Sequence, residues 1–430
     1  MGCGRQLSPS FPWTKNASHS RKGGLYLYFY HNPFILFWRR FALLRVFIYL
    51  FPILINYVLG GVFFITAFRF SEAGSPEILI TGTTAMWAII YSLSSLIVGR
   101  IVNEKNAGGI IIRAGFFLAL VSLGFVVFPN LHLQYLWIAL VGVGSAFYCT
   151  PFQVFMKSFE SKDSASGIVY STAMYTAAWS AGQATGPFIF GILDWKTGFY
   201  TNVVFSLCLA LGVLLVEKLR ATATPAIEQK PRESDVDYGK YPDYAWLGWL
   251  GAGVGTTTIS IVRTLEPKLA VDLGLAKIHA GSILALVSVM QVIWGLAWMN
   301  SKRWMYKPSA AFLGGLAGLA GLLLFASGKT LPLLYAAAIL YGSYSGYFYF
   351  TLVFYALVHP VKSAHYLAIN EAVVGIAGIT GAIGGGILAQ LTNLRVTFSV
   401  AAMLVAIGSL HRIYILHRDQ CQAKNDCVSA

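Results

Sequence analysis

The sequence predicts an all-α membrane protein, with twelve transmembrane helices in two six-helix bundles related by a parallel pseudo-repeat. Three observations predict it. Of 430 residues, 57% are hydrophobic and only 11% charged, with a mean hydropathy of +0.64; an average soluble domain carries about 25% charged residues. Apolar runs long enough to cross a bilayer core, about 20 residues at 1.5 Å each, recur twelve times. One long polar break divides them six and six. This composition excludes a soluble enzyme, a nucleic-acid binder and a disordered chain. With only 17 acidic residues, the net charge of +14 reads as Lys and Arg held at one membrane face.

The first six runs lie near 46–68, 78–99, 109–128, 133–156, 166–192 and 199–216, and the second six near 244–264, 278–299, 309–327, 333–357, 364–390 and 395–415. The stretch 24–38 is apolar but short and rich in aromatic rings, which suits the interface rather than a span. The break near 217–243 holds Pro225, Pro231 and Pro242 among many charges and reads as a linker. The expected organisation is an interfacial or cytoplasmic segment 1–44, a bundle 45–217, a cytoplasmic linker 218–243, a bundle 244–415 and a cytoplasmic tail 416–430. The N-terminal residues lack the pattern of a secretory signal, and Gln6 stands where a myristoylation motif wants Ser or Thr.

With the N-terminus inside, 24 of the 31 Lys and Arg fall on inside segments and 7 on outside ones. That bias predicts that both termini and the linker are cytoplasmic, so the sequon at Asn16 is unused. The absence of a convincing organellar signal favours a plasma or inner membrane. Cys3, Cys149, Cys208, Cys421 and Cys427 form no CxxC pair, so neither a disulfide framework nor a metal site is expected.

The halves repeat. Gly99 corresponds to Gly295, Gly144-Ser145 to Gly342-Ser343, and the stretch from Gly186 to Gly191 to that from Gly381 to Gly386, at offsets of 196, 198 and 195 residues. Six helices return the chain to its starting side, so the repeat is parallel.

Twelve spans, a six-plus-six repeat and a charged central loop resemble the major facilitator superfamily of secondary transporters over roughly residues 45–415. The loop Gly99-Arg100-Ile101-Val102-Asn103-Glu104-Lys105 is similar to the family's gating loop, with Glu104 where a base is usual. The helix-five stretch containing Gly182, Gly186, Pro187 and Gly191 resembles the motif of the family's exchangers, with Phe190 replacing one glycine of its closing pair. The helix-eleven copy keeps Gly385 and Gly386 but has Ala382 for proline. Glycines four apart let helix backbones approach. Gly182, Gly186, Gly191, Gly381 and Gly385 therefore serve either static packing or a sliding surface. The helix-four arginine of the family's proton-coupled exporters is absent from the stretch Leu136 to Gly144, which argues against that route of proton antiport.

No GxSxG, HExxH or P-loop pattern occurs, so neither an enzyme nor a cofactor is expected. His359 and His365 flank a short loop without a partner acid or nucleophile, which disfavours a membrane acyl transferase. Polar groups in lipid are costly and therefore informative. Glu371 reads as the one acidic residue well inside a span. Three readings stand: a proton or cation coupling site, half of a latch with Arg100, or a helix-start glutamate reached by water.

The resemblance implies a substrate path along helices one, four, seven and ten. Span centres place Asn56 and Tyr57 on helix one, Tyr148 on helix four, Thr257 on helix seven, and Tyr341 and Tyr344 on helix ten; Trp179, Gln183 and Gln291 come from neighbouring helices. This aromatic and hydroxylic lining suits a small neutral or amphipathic solute. A phosphate-ester carrier would want arginines at that depth. The expected function is secondary transport by alternating access, with or without an ion such as a proton, by a monomer in the lipid bilayer. The alternatives are an uncoupled facilitator, or a sensor or scaffold that keeps the fold without transporting.

Overall fold

The computed structural model describes residues 47–157, 165–221, 243–299, 304, 306–357 and 363–429, and Arg45–Ala430 forms one compact unit. It contains twelve helices among the described residues: α1 Leu50–Glu72, α2 Glu77–Ile101, α3 Ala107–Val127, α4 Gln134–Lys157, α5 Ala165–Ile192, α6 Trp195–Ala221, α7 Ala245–Asp272, α8 Lys277–Met299, α9 Pro308–Ser327, α10 Leu331–Leu357, α11 Ser363–Leu391 and α12 Leu394–Ser429. Ten are long and apolar enough to cross a membrane. The other two, α5 and α10, are as long but more polar, with Thr176, Ser180 and Gln183 on one and Ser343, Ser345 and several tyrosines on the other. The 24–38 stretch, Asn16 and the linker lie outside the described residues.

Two helices differ in length from the apolar runs. Helix α12 continues past 415 to Ser429, where a tail was expected. Helix α7 runs to Asp272 rather than stopping near 264, and so takes Glu266 and Lys268 into the helix. Glu371 is therefore not the only acidic residue inside a span: Glu266 is fully buried.

The distribution of side chains is that of a protein in lipid. Large apolar residues face outward on α3 (Phe116, Leu120), α6 (Leu211, Leu215), α9 (Leu313, Leu316) and α12 (Ile407, Leu410), while Asn56, Thr66, Thr258 and Gln291 are buried. Helix α1 is buried along most of its length. The most extensive pairing is α5 with α8; α1 with α5, α7 with α11, α2 with α4, α8 with α10, α3 with α6, α9 with α12 and α2 with α11 also pack closely.

Glycine makes two of these pairings possible. A β-carbon on Gly186 of α5 would sit 2.5 Å from the Tyr57 carbonyl oxygen and 2.6 Å from the Gly61 nitrogen of α1. A β-carbon on Gly182 would collide with the Ile53 carbonyl oxygen of α1, and one on Gly381 of α11 with the Thr257 carbonyl oxygen of α7. Gly385 faces the Ile261 side chain of α7, and Gly191 lies against Ile278 of α8. Pro187 is accommodated within α5.

The helix ends follow ordinary capping chemistry. Helices α1 and α7 both end on a left-handed glycine, Gly74 (φ +67°) and Gly274 (φ +66°). In each the next amide reaches back, Ser75 to the Phe70 carbonyl at 3.0 Å and Leu275 to the Ala270 carbonyl at 2.9 Å. Asp194 caps α6, accepting from the Lys196 and Thr197 amides at 3.0 and 3.1 Å, and Asn393 caps α12, accepting from the Val396 amide at 3.0 Å. Hydrogen bonds from the Thr197 hydroxyl and amide hold the Asp194 carboxyl below its usual range. A depressed carboxyl stabilises the fold fully above its unfolded pKa, and that contribution fades as pH falls through the folded value. Melting curves taken from about pH 6 down to about pH 3 should therefore show a smaller acid-induced loss in Asp194→Asn than in the wild type, because asparagine caps without titrating.

Candidate functional site

A narrow cavity lies where α1, α5, α7 and α8 meet. Its walls include Gly60, Phe63, Gln183, Arg263, Leu284 and Ser288. The Arg263 guanidinium lies over the Trp179 ring, 5.4 Å from its centroid, and its buried Nη2 has no hydrogen-bond partner. Trp179 in turn packs on Tyr349 of α10, with ring centroids 5.5 Å apart. Trp179, Arg263 and Tyr349 are each partly accessible amid otherwise buried neighbours.

Towards the other end of the bundle, the Gln153 amide of α4 donates to the Glu371 Oε1 of α11 at 2.9 Å. The Tyr91 hydroxyl of α2 lies beside the same carboxylate, and Cys149 and Tyr175 are close by. Glu371 is exposed to solvent although residues of three other helices surround it, so it borders a vestibule rather than a packed core.

The residues singled out from the sequence divide between these surfaces and the packed interior. Gln183 lines the cavity and donates to the Asn56 Oδ1 at 3.0 Å; Asn56 is buried and donates to the Pro52 carbonyl. Trp179 carries Arg263. Thr257 is half-buried and donates to the Ala377 carbonyl of α11 at 3.3 Å. Five others are turned elsewhere. Tyr57 points at α6, hydrogen-bonding the Thr201 hydroxyl at 2.5 Å and packing on Phe205. Tyr148 is buried and stacked on Phe152. Tyr341 is buried against Thr258, with its hydroxyl 2.9 Å from the threonine hydroxyl. Tyr344 packs beside Gly318 of α9. Gln291 is fully buried, accepting from the Ser180 hydroxyl at 2.8 Å and donating to the Ser345 hydroxyl at 2.6 Å. A residue at mid-span can face any direction around its helix, and these five face their own neighbours.

Arg100 and Glu371 are not partners in this conformation. Arg100 is exposed at the end of α2, and among the described residues Glu371 has no ion-pair partner. Gly99 is open, with no atom within 4 Å of a β-carbon placed there. Asn103 folds the following loop, its side chain accepting from the Lys105 and Asn106 amides at 3.0 and 3.1 Å.

The lining expected to be aromatic and hydroxylic also holds a cation, Arg263. Arg412 of α12 is also buried, over the Tyr347 ring at 4.7 Å, so arginine is present at depth in two places. The sequence signal for Arg263 was available: it lies within the last residues of the apolar run 244–264, on helix α7.

The sequence signature of the Major Facilitator Superfamily matches residues 170–365. The fold is similar to that of the human organic anion transporter MFSD10 (TETRAN), with a TM-score of 0.59 and 13% identity, over 88% of this chain and 99% of that one. That signature covers 196 of the 430 residues, and the structural likeness shows a shared fold. No curated relative matches it at the level of sequence. Among the described residues, ten helices long and apolar enough to cross a membrane fit a multi-pass membrane protein.

Proposed function

We propose that this chain is a secondary transporter that works by alternating access on a small amphipathic solute presenting an acidic group to Arg263. The observation that carries the solute class is the unpartnered Arg263 Nη2 in a mainly apolar cavity walled by Phe63, Leu284 and Val287, with Gln183 and Ser288 its other polar side chains. A buried cation with a free donor is costly unless something pairs with it, and a carboxylate is the natural complement. The fold is shared with a protein described as an organic anion transporter, which supports the same class.

The helix pairings support a two-bundle mechanism. Each pairing in the first half has its counterpart six helices on: α1–α5 and α7–α11, α2–α4 and α8–α10, α3–α6 and α9–α12. We take residues 45–217 and 244–415 as the moving halves, with α2–α11 and α5–α8 as their mutual contacts. The ends assigned to the outside by charge are closed, with Lys277 donating to the Leu193 carbonyl and Gly191 against Ile278. Glu371 and Tyr170, nearer the inside, are exposed. This arrangement supports an inward-facing state. Both termini and the linker are taken as cytoplasmic; single cysteines placed at Glu104 and Lys196 should react with an impermeant reagent added outside only at Lys196, and labelling at Glu104 would reverse the orientation.

Binding to the folded state raises its stability, so the solute class is testable by thermal shift. Biphenyl-4-carboxylate should stabilise the wild type and biphenyl-4-carboxamide should not. Arg263→Gln should weaken the carboxylate at least about tenfold, as loss of a charged hydrogen bond of about 1.5–3 kcal/mol requires. Equal stabilisation by the amide, or carboxylate binding unchanged in Arg263→Gln, would remove this reading.

A further inference from the structure

We propose that the vestibule takes a solute carrying both charges, with its acidic group at Arg263, an ammonium group at Glu371, and a flat apolar body along Trp179 and Tyr349. The inference rests on the reading of Arg263 above and adds the second charge. Four side chains from four helices form a continuous series. Arg263 of α7 lies over Trp179 of α5 at 5.4 Å, Trp179 packs on Tyr349 of α10 at 5.5 Å, and Tyr349 is within electrostatic reach of both Arg263 and Glu371 of α11.

Their heights on the helices agree with that order. At 1.5 Å per residue, Glu371 lies about 12 Å from the start of α11 and Arg263 about 27 Å from the start of α7, with Trp179 about 21 Å along α5. The two charges are thus about 15 Å apart along the bundle axis at their α-carbons, too far to neutralise one another directly. Trp179 and Tyr349, both partly accessible, border the interval between them.

Glu371 has the chemistry of an ammonium site. Gln153 donates to Oε1, which leaves acceptor capacity on a group that takes about four hydrogen bonds when ionised. Tyr91, Tyr175 and Tyr349 lie near the carboxylate, and their hydroxyl oxygens add acceptors for an ammonium. No cation of the protein fills this role among the described residues, since Arg100 is exposed elsewhere. A bound ammonium completes the hydrogen bonding of this carboxylate with a charge-assisted pair.

Three matched probes test the proposal on the full chain in detergent: 4′-(aminomethyl)biphenyl-4-carboxylic acid, its N-acetyl derivative, which keeps only the acid, and its methyl ester, which keeps only the amine. The wild type should bind the doubly charged probe at least tenfold more tightly than either singly charged one. Glu371→Gln should erase the advantage over the N-acetyl acid and leave the affinity for that acid unchanged. Arg100→Gln should keep the advantage. Should Glu371→Gln melt early without ligand, Glu371→Asp, which retains the charge, should retain a measurable preference for the amine. If the wild type binds the N-acetyl acid as tightly as the doubly charged probe, the ammonium site is wrong while the acid site at Arg263 stands. If none of the three binds, or if Arg263→Gln binds the acid normally, both readings fall.

Discussion

Gly186→Leu is expected to destabilise the protein by about 1–3 kcal/mol or more and to abolish transport. The reason is contact between backbones rather than between side chains. A β-carbon at this position would meet the Tyr57 carbonyl oxygen at 2.5 Å, the Gly61 nitrogen at 2.6 Å and the Gly60 carbonyl carbon at 3.0 Å. No rotamer of leucine avoids a clash that begins at the β-carbon. Helices α1 and α5 must separate, and α1 is the most enclosed helix in the bundle. Association in lipid depends on such close packing because the hydrophobic effect contributes little there. Leu316→Ala, on the outward face of α9, is the control and should leave the melting temperature nearly unchanged. Equal melting temperatures for Gly186→Leu and the wild type would show that the α1–α5 contact is not tight.

The second large effect is expected at Gln291. Its side chain joins α8 to α5 through Ser180 and to α10 through Ser345, and it is fully buried. Gln291→Leu has similar volume but strands both serine hydroxyls. Interhelical hydrogen bonds in membranes are worth about 0.6–2 kcal/mol each, and a stranded buried group costs about 1–3 kcal/mol. A loss of about 2–4 kcal/mol in unfolding stability is expected from these terms. Ligand affinity in the folded fraction should not change, because Gln291 bridges helices instead of lining the cavity. A specific loss of carboxylate affinity at unchanged stability would return Gln291 to the binding surface.

The number and order of helices were legible because the cost of polar groups in lipid forces apolar runs of a fixed length. The glycine motifs were legible as sites of close approach, and the structure puts Gly182 and Gly186 of α5 against α1, and Gly381 against α7. The far end of α7 was not. Glu266 and Lys268 follow the apolar run, and helix and lipid core need not end together, so the continuation of α7 to Asp272 was not visible. The direction of each mid-span residue was also hidden. Helix α1 is buried on nearly every side, so no apolar stripe distinguishes the face of Asn56, which accepts from the cavity residue Gln183, from that of Tyr57, which bonds α6. Azimuth in such a helix is decided by partners far away in sequence. The partners of Glu371, Gln153 and Tyr91, come from α4 and α2, and no local pattern announces them.

Alternating access is tested most directly by measuring two distances in liposomes with paired spin labels. One pair joins Lys196 to Ala276 across the ends assigned to the outside, and the other joins Glu104 to His365 across the inner ends; all four residues are exposed. Each pair should show two populations, with a short outer distance accompanying a long inner one. Saturating 4′-(aminomethyl)biphenyl-4-carboxylic acid should redistribute the two pairs in opposite senses. A single unchanging distance in both pairs, or lengthening of both together, would contradict the account.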